Sequence, residues 1–208
     1  MHKKIAVLAG DGIGPEIIKE AIKVLQAIEK KYNHSFSFEH ALMGAVAIDA
    51  TGNPLPEKTI EICKSNDAIL FGAIGDPKYD NDPNAKVRPE QGLLALRKTL
   101  NLFCNVRPVT IYDRLIESSP LKRNRIEGVD LVIYRELTGG IYFGQKKEAD
   151  EKGIASDLCT YSKEEILRVA HLAFKAAEKR KNKLTLVDKA NVLALSLIHI
   201  SEPTRRKR

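Results

Sequence analysis

The chain has no tryptophan, only three cysteines, and no apolar run approaching the ~20 residues needed to cross a bilayer. Each shortage removes a class of protein. Cys63, Cys104 and Cys159 are isolated, odd in number and without C-x-x-C spacing, so a disulfide framework is excluded and reduced, structural thiols are expected. The five histidines show no metal-ligand spacing, which argues against a structural zinc. The start, Met1-His2-Lys3-Lys4-Ile5-Ala6-Val7-Leu8, is basic and then apolar, but reaches Gly10-Asp11-Gly12 too soon for the core and cleavage site of a signal peptide. A cytoplasmic protein with no membrane partner is the expectation. No internal repeat is visible.

What is present is ordinary for a globular protein: 208 residues, 43% hydrophobic and 29% charged, enough for one large domain or two small ones. The net charge of +7 is concentrated at the end. Arg205, Arg206, Lys207 and Arg208, less Glu202, supply three of those charges and leave four for residues 1–193. A mildly basic body suits anionic small molecules, and no nucleic-acid partner is expected.

Strand and helix patterns alternate. Lys4–Ala9 reads as a buried strand, followed by a long helix with Pro15 in its first turn and an apolar stripe of Ile17, Ile18, Ala21, Ile22, Leu25 and Ile28. Ser35–Leu42 predicts a strand, Pro56–Lys64 a short helix, Ala68–Ala73 a strand, 76–89 a loop, and Glu90–Leu100 a helix. Strand-like Phe103–Arg107 and Val129–Tyr134 follow, with a polar stretch between them. Residues 145–159 suit an arm or hairpin. Ser162 and Glu165 form a capping box for a helix whose stripe is Ile166, Ala170, Ala173, Phe174 and Ala177, and Leu184–Val187 reads as a last buried strand. This alternation predicts an α/β architecture with parallel strands. Residues 194–208 break the style of the rest, and their apolar stretch and four cations read as a foreign tail.

Chemistry is concentrated in five places. Gly10-Asp11-Gly12-Ile13-Gly14-Pro15-Glu16 joins a strand to a helix, as phosphate-binding turns do, but it is not G-x-G-x-x-G and equally describes a plain tight turn. In Arg88-Pro89-Glu90-Gln91-Gly92-Leu93-Leu94-Ala95-Leu96-Arg97-Lys98, helical spacing puts Glu90, Leu93 or Leu94, and Arg97 on one face. That face could hold a carboxylate beside a branched alkyl group, or could be a core leucine pair next to a surface arginine. Asn105-Val106-Arg107-Pro108 and Tyr134-Arg135-Glu136-Leu137-Thr138-Gly139-Gly140-Ile141-Tyr142-Phe143-Gly144 each end a strand with an arginine. Three arginines on one pocket would suit a di- or tricarboxylate, because the guanidinium fork matches carboxylates in pairs. Lys189, in Val187-Asp188-Lys189-Ala190-Asn191-Val192-Leu193, is either a base with a lowered pKa or a lysine snorkelling from a strand end.

Taken together and in this order, the motifs GDGIGPE, RPEQGLLALRK, YRELTGGIYFG and VDKANVL resemble the isocitrate/isopropylmalate dehydrogenase family over residues 3–193, and are most similar to its isopropylmalate-oxidising members. The resemblance implies an α/β two-domain fold that is not a Rossmann fold, with residues 1–102 in the first domain and 103–193 in the second, including a dimer arm near 140–160. It implies NAD-dependent oxidation and decarboxylation of 3-isopropylmalate to 2-oxoisocaproate in leucine biosynthesis. Carried over by position, Arg97, Arg107 and Arg135 bind the malate carboxylates, and Leu93 and Leu94 the isopropyl group. Tyr142 is the acid for the enol carbon, and Lys189 takes the C2 hydroxyl proton across a homodimer interface. Asn191 and Val192 approach the same pocket, while Ile13, Gly14 and Glu90 lie at the nicotinamide end of NAD. The aspartates for Mg or Mn, and the loop for the adenosine of NAD, are expected in a part of the family sequence absent here. A truncated polypeptide, inactive alone, is therefore expected. Leu137 and the Gly139-Gly140 pair differ from the Asn and acidic pair usual in isocitrate dehydrogenases, so isocitrate, homoisocitrate or tartrate is the alternative substrate, and a non-catalytic ligand-binding fragment the alternative class.

Overall fold

β1 (His2–Gly10) is apolar on both sides, and the elements around it cover both. The computed structural model describes residues 1–82 and 85–187, which divide into two units, Met1–Leu100 and one that starts at Asn101. In the first unit β1 lies between β2 (Ser35–His40) and β3 (Ala68–Ala73), parallel to each, with Ile5 opposite Phe38 on one side and Ala68 on the other. A central parallel strand is covered on both faces and reads as an unbroken apolar run, as Ile5-Ala6-Val7-Leu8 does. Ile5 and Val7 pack with Ile18, Ile22 and Leu25 of α1 (Gly14–Tyr32). Ala6 and Leu8 pack with Met43, Leu55, Ile62, Cys63 and Leu96. That second layer draws on the segment flanking α2 (Ala45–Thr51), on α3 (Glu57–Ser65) and, beyond the short α4 (Pro77–Asp80), on α5 (Pro89–Thr99).

The stripe expected on α1 is corrected at Ile17, which is 45% exposed. Successive helical residues are about 100° apart, so 17 and 18 cannot both face the sheet, and 18, 22 and 25 take that side. α2 and α4 had no counterpart in the sequence reading.

Asp67, between α3 and β3, ties down the start of β1. Its carboxylate accepts hydrogen bonds of 2.8 Å from both Lys3 Nζ and the Lys4 N–H. These contacts, the lysine first, hold the Asp67 carboxyl below its ordinary range. A depressed carboxyl stabilises above its unfolded pKa, and the contribution fades as pH falls through the folded value. Asp67→Asn is therefore expected to lower the thermal midpoint modestly at neutral pH and to match the parent in strong acid. Equal deficits at both pH values would contradict this.

In the second unit β4 (Cys104–Thr110) pairs antiparallel with β5 (Asp130–Glu136), from Cys104 opposite Glu136 to Thr110 opposite Asp130. This corrects the expectation of parallel strands for this pair, while β1, β2 and β3 bear it out. Parallel neighbours need a crossover, usually a helix, that carries the chain back along the sheet. The link between β4 and β5 holds only a 3₁₀ turn (Asp113–Ser118) and α6 (Arg123–Ile126), so the chain returns locally. β4 also continues through Pro108, opposite Val132, a position open to proline where no further strand needs its missing N–H.

β6 (Lys146–Lys147) and β7 (Ser156–Asp157) form the expected hairpin, closed by Lys146 and Asp157 at 2.9 Å. α7 (Lys163–Glu178) begins with the expected capping box. The Ser162 N–H donates to Glu165 Oε2 (2.7 Å), and the Glu165 N–H to Ser162 Oγ (3.2 Å). α7 lies against β5 and buries Ile166 and Ala173, whereas Phe174 is 43% exposed, contrary to the predicted stripe. Leu184–Val187 is not a strand. It has no ladder partner among the described residues, and Leu184, Leu186 and Val187 are exposed. The three cysteines are free thiols, and no described helix is long and apolar enough to cross a membrane.

Candidate active site

In the first unit the site begins where β1 and β3 end, the usual place for a ligand in a parallel sheet. Asp11 is 2% exposed there. Its carboxylate accepts from the N–H groups of Ala45 (2.8 Å), Val46 (3.0 Å) and Gly75 (3.0 Å), and its own N–H donates to the Ala73 carbonyl at 2.7 Å. Asp11 thus satisfies the first N–H groups of α2 and fastens the turn after β3 to the turn after β1. Sequence reasoning missed this role, since the partners lie more than thirty positions away.

The glycines of this turn differ in purpose. A Cβ on Gly10 would collide with the Ala73 carbonyl, and one on Gly14 with the Ala9 carbonyl, while one on Gly12 (φ 54°) would meet nothing within 4 Å. The Gly14 N–H is already bonded to the Asp11 carbonyl at 2.8 Å. Gly14 therefore serves the turn itself, and Gly12 and the 56% exposed Ile13 form its open side.

Glu90, near the start of α5, is exposed, and its Oε1 would lie 3.2 Å from a Cβ added to Gly75, the residue tied to Asp11. The helix chooses between the two leucines. Leu93 packs on the core with Leu96, leaving half-buried Leu94 on the side of Glu90 and Arg97. Arg97 is half-buried.

In the second unit Asn105 stands opposite Arg135, so Asn105, Arg107, Ile133 and Arg135 share one face of the β4–β5 ladder. Arg107 Nε donates to Asn105 Oδ1 at 2.7 Å, and the Arg135 guanidinium carbon lies 5.9 Å from the centre of the Tyr142 ring. Arg107, Arg135 and Tyr142 are all exposed. Arg135 belongs to β5 itself, so the strand fixes its direction more tightly than a loop would. Tyr161 is half-buried beneath Gly139 and Gly140, and burial, first among its causes, raises its phenol pKa. Lys189, Asn191 and Val192 lie outside the described residues.

Tested against a bound dinucleotide, the residues fit in part: the turn is open at Gly12 and Ile13, and Glu90 offers an acceptor beside Gly75. They do not fit a metal. Among the described residues no three His, Cys, Asp or Glu side chains converge on a possible ion.

A family model described as isocitrate/isopropylmalate dehydrogenase matches residues 4–205, continuing past Leu193 into the stretch set apart as a tail. The 3-isopropylmalate dehydrogenase of Bacteroides fragilis is 54% identical over 196 residues, covering 94% of this chain and 55% of that protein. That of Bacillus caldotenax is 52% identical, covering 93% and 53%. Among solved structures, isocitrate dehydrogenase from Methylococcus capsulatus has a TM-score of 0.79 at 28% identity, covering 98% of this chain and 56% of that one. A β-decarboxylating dehydrogenase from Thermococcus kodakarensis has a TM-score of 0.69 at 31% identity, with 97% and 54% covered. The chain spans about half the length of the curated relatives it matches. By sequence and by fold, it belongs to the isocitrate/isopropylmalate dehydrogenase family.

Proposed function

We propose that this chain supplies part of the active site of an NAD-dependent 3-isopropylmalate dehydrogenase, an oxidoreductase of leucine biosynthesis. The observation that carries the reading is the shared face of Arg107 and Arg135, with Tyr142 against the second arginine. In this reading Arg107, Arg135 and Arg97 bind the two carboxylates of the malate, each charge-assisted contact contributing roughly 1.5–3 kcal/mol. Leu94, with Leu93 behind it, meets the isopropyl branch. Lys189, with Asn191 and Val192 nearby, acts in the partner subunit of a homodimer and takes the proton of the C2 hydroxyl. Ile13 and Glu90, with Gly14 shaping the turn that carries Ile13, receive the nicotinamide end of NAD, which when bound supplies the acceptor for the C2 hydride. As the carboxylate on C3 leaves as carbon dioxide, the Tyr142 hydroxyl gives its proton to that carbon. No three metal-ligating side chains converge among the described residues, so the steps drawn for them are binding and proton transfer. The domain boundary near residue 102, the arm at 140–160 as a dimer contact, and a cytoplasmic location belong to the same proposal.

A chimera tests it. Residues 1–193 are placed ahead of the remaining part of the Bacteroides fragilis enzyme, and NADH formation is followed by fluorescence. We expect NADH production that depends on 3-isopropylmalate, with little from isocitrate. A folded chimera that prefers isocitrate, homoisocitrate or tartrate would overturn the substrate assignment. One that binds 3-isopropylmalate without forming NADH would favour a ligand-binding role.

A further inference from the structure

The ladder ends at Glu136, yet the segment from there to Tyr142 is held firmly from the other side of the strand. Glu136 and Arg135 are neighbours on β5, so their side chains leave opposite faces. Glu136 Oε2 accepts from the N–H groups of Thr138 (2.9 Å) and Gly139 (2.7 Å), and Oε1 accepts from the Thr138 hydroxyl (3.1 Å). Arg168 of α7 closes the triangle. Its Nη2 donates to Glu136 Oε1 at 2.7 Å and to Thr138 Oγ1, and its Nη1 donates to Asn101 Oδ1 at 3.2 Å. Its guanidinium carbon lies 4.9 Å from the centre of the Phe103 ring, and the Leu137 N–H is bonded to the Phe103 carbonyl at 2.8 Å.

The pair is largely removed from water, with side chains 27% and 10% exposed, and Arg168 Nε is buried without a hydrogen-bond partner. A buried ion pair is poor value as a stabiliser, and an orphaned N–H makes it poorer. What the arrangement does provide is a single geometry for three successive residues, 137–139, leading to Tyr142. Tyr161 braces the same segment from below, where a Cβ on Gly140 would collide with its hydroxyl, and the Gly140 N–H donates to the Thr160 carbonyl at 2.9 Å.

We propose that Glu136 and Arg168 are positioning residues, which hold the Leu137–Gly140 segment so that Tyr142 stays against Arg135, without themselves reaching the substrate. The link to catalysis rests on the function proposed above; the link to the placement of Tyr142 does not. The test uses the 208-residue chain, with amide hydrogen exchange and the NMR signals of the Tyr142 ring as readouts, and a 3-isopropylmalate titration of the same samples.

Arg168→Ala is expected to speed exchange of the Thr138 and Gly139 amides roughly tenfold, the effect of losing one hydrogen-bonded support. It should also move the Tyr142 signals toward those of Arg135→Ala, while the amides of Ala6–Leu8 in the first unit keep their rates. Arg168→Lys retains one donor and should restore part of both effects. Glu136→Gln should leave Thr138 and Gly139 partly protected. If Arg168→Ala fails to fold, Arg168→Lys and Thr138→Val carry the same expectation at smaller size. Unchanged Tyr142 signals in every folded variant would overturn the proposal. So would equal acceleration of all second-unit amides, the mark of a merely structural contact. Failure of the chimera to form NADH from 3-isopropylmalate, with the Tyr142 response intact, would sink the substrate reading and leave the positioning role standing.

Discussion

Asp11→Ala is expected to destabilise the first unit by about 3–6 kcal/mol, the largest effect of any single change considered. Three backbone donors, those of Ala45, Val46 and Gly75, would lose the Asp11 carboxylate as acceptor at once. Each buried donor left without a partner costs about 1–3 kcal/mol, with the lower figures where water can enter. Two of these bonds are only partly buried, which argues for the lower half of the summed range. Asp11→Asn keeps one oxygen acceptor and brings an NH₂ toward a crowd of donors, so it should recover less than half of the loss. Urea unfolding followed by circular dichroism checks this: the midpoint should fall with an unchanged slope. A midpoint equal to the parent's would mean that α2 and the Gly75 turn find their own partners. Because Glu90 flanks Gly75, the same substitution should also weaken any ligand held by the open side of the Gly12–Ile13 turn.

Arg135→Ala comes second. If the β4–β5 face binds a malate carboxylate, its removal should weaken 3-isopropylmalate binding roughly 10- to 150-fold, the equivalent of the ~1.5–3 kcal/mol of a charge-assisted hydrogen bond. Arg135→Lys should recover only part of this, since an ammonium keeps the charge but not the two-pronged geometry. Calorimetric titration of the chain with 3-isopropylmalate reads both variants. Arg135 is exposed on a strand and lies against the Tyr142 ring, so folding should be little affected and the comparison stays clean. Binding as tight as the parent's after Arg135→Ala would remove this face from the site.

The parts legible in the sequence are those decided by neighbours along the chain. The apolar run of β1, Pro15 in the first turn of α1 and the Ser162–Glu165 box each name their element without help from elsewhere. Illegible parts depend on partners far away. α2 takes its first N–H acceptors from Asp11, 34 positions earlier, and no local pattern marks it. Pro108 looks like a strand end until its pairing with Val132 shows a register that does not need its N–H. The site divides the same way. Arg107 and Arg135 could be singled out from arginines at predicted strand ends, but their common face follows from Asn105 standing opposite Arg135, a register one strand cannot reveal. Glu136 lies within the Tyr134–Gly144 segment and Arg168 in no motif, and only their meeting across 32 positions gives either a role.

The nine residues of β1 carry both apolar layers of the first unit, one through Ile5 and Val7 and the other through Ala6 and Leu8. Neither layer can therefore be loosened in isolation: an opening that frees α1 strips the support from α5, and the reverse. The Gly12–Ile13 turn and the helix bearing Leu94 and Arg97 thus share one fate on heating, and substitutions on α5 are constrained by the stability of a helix on the opposite side of the sheet.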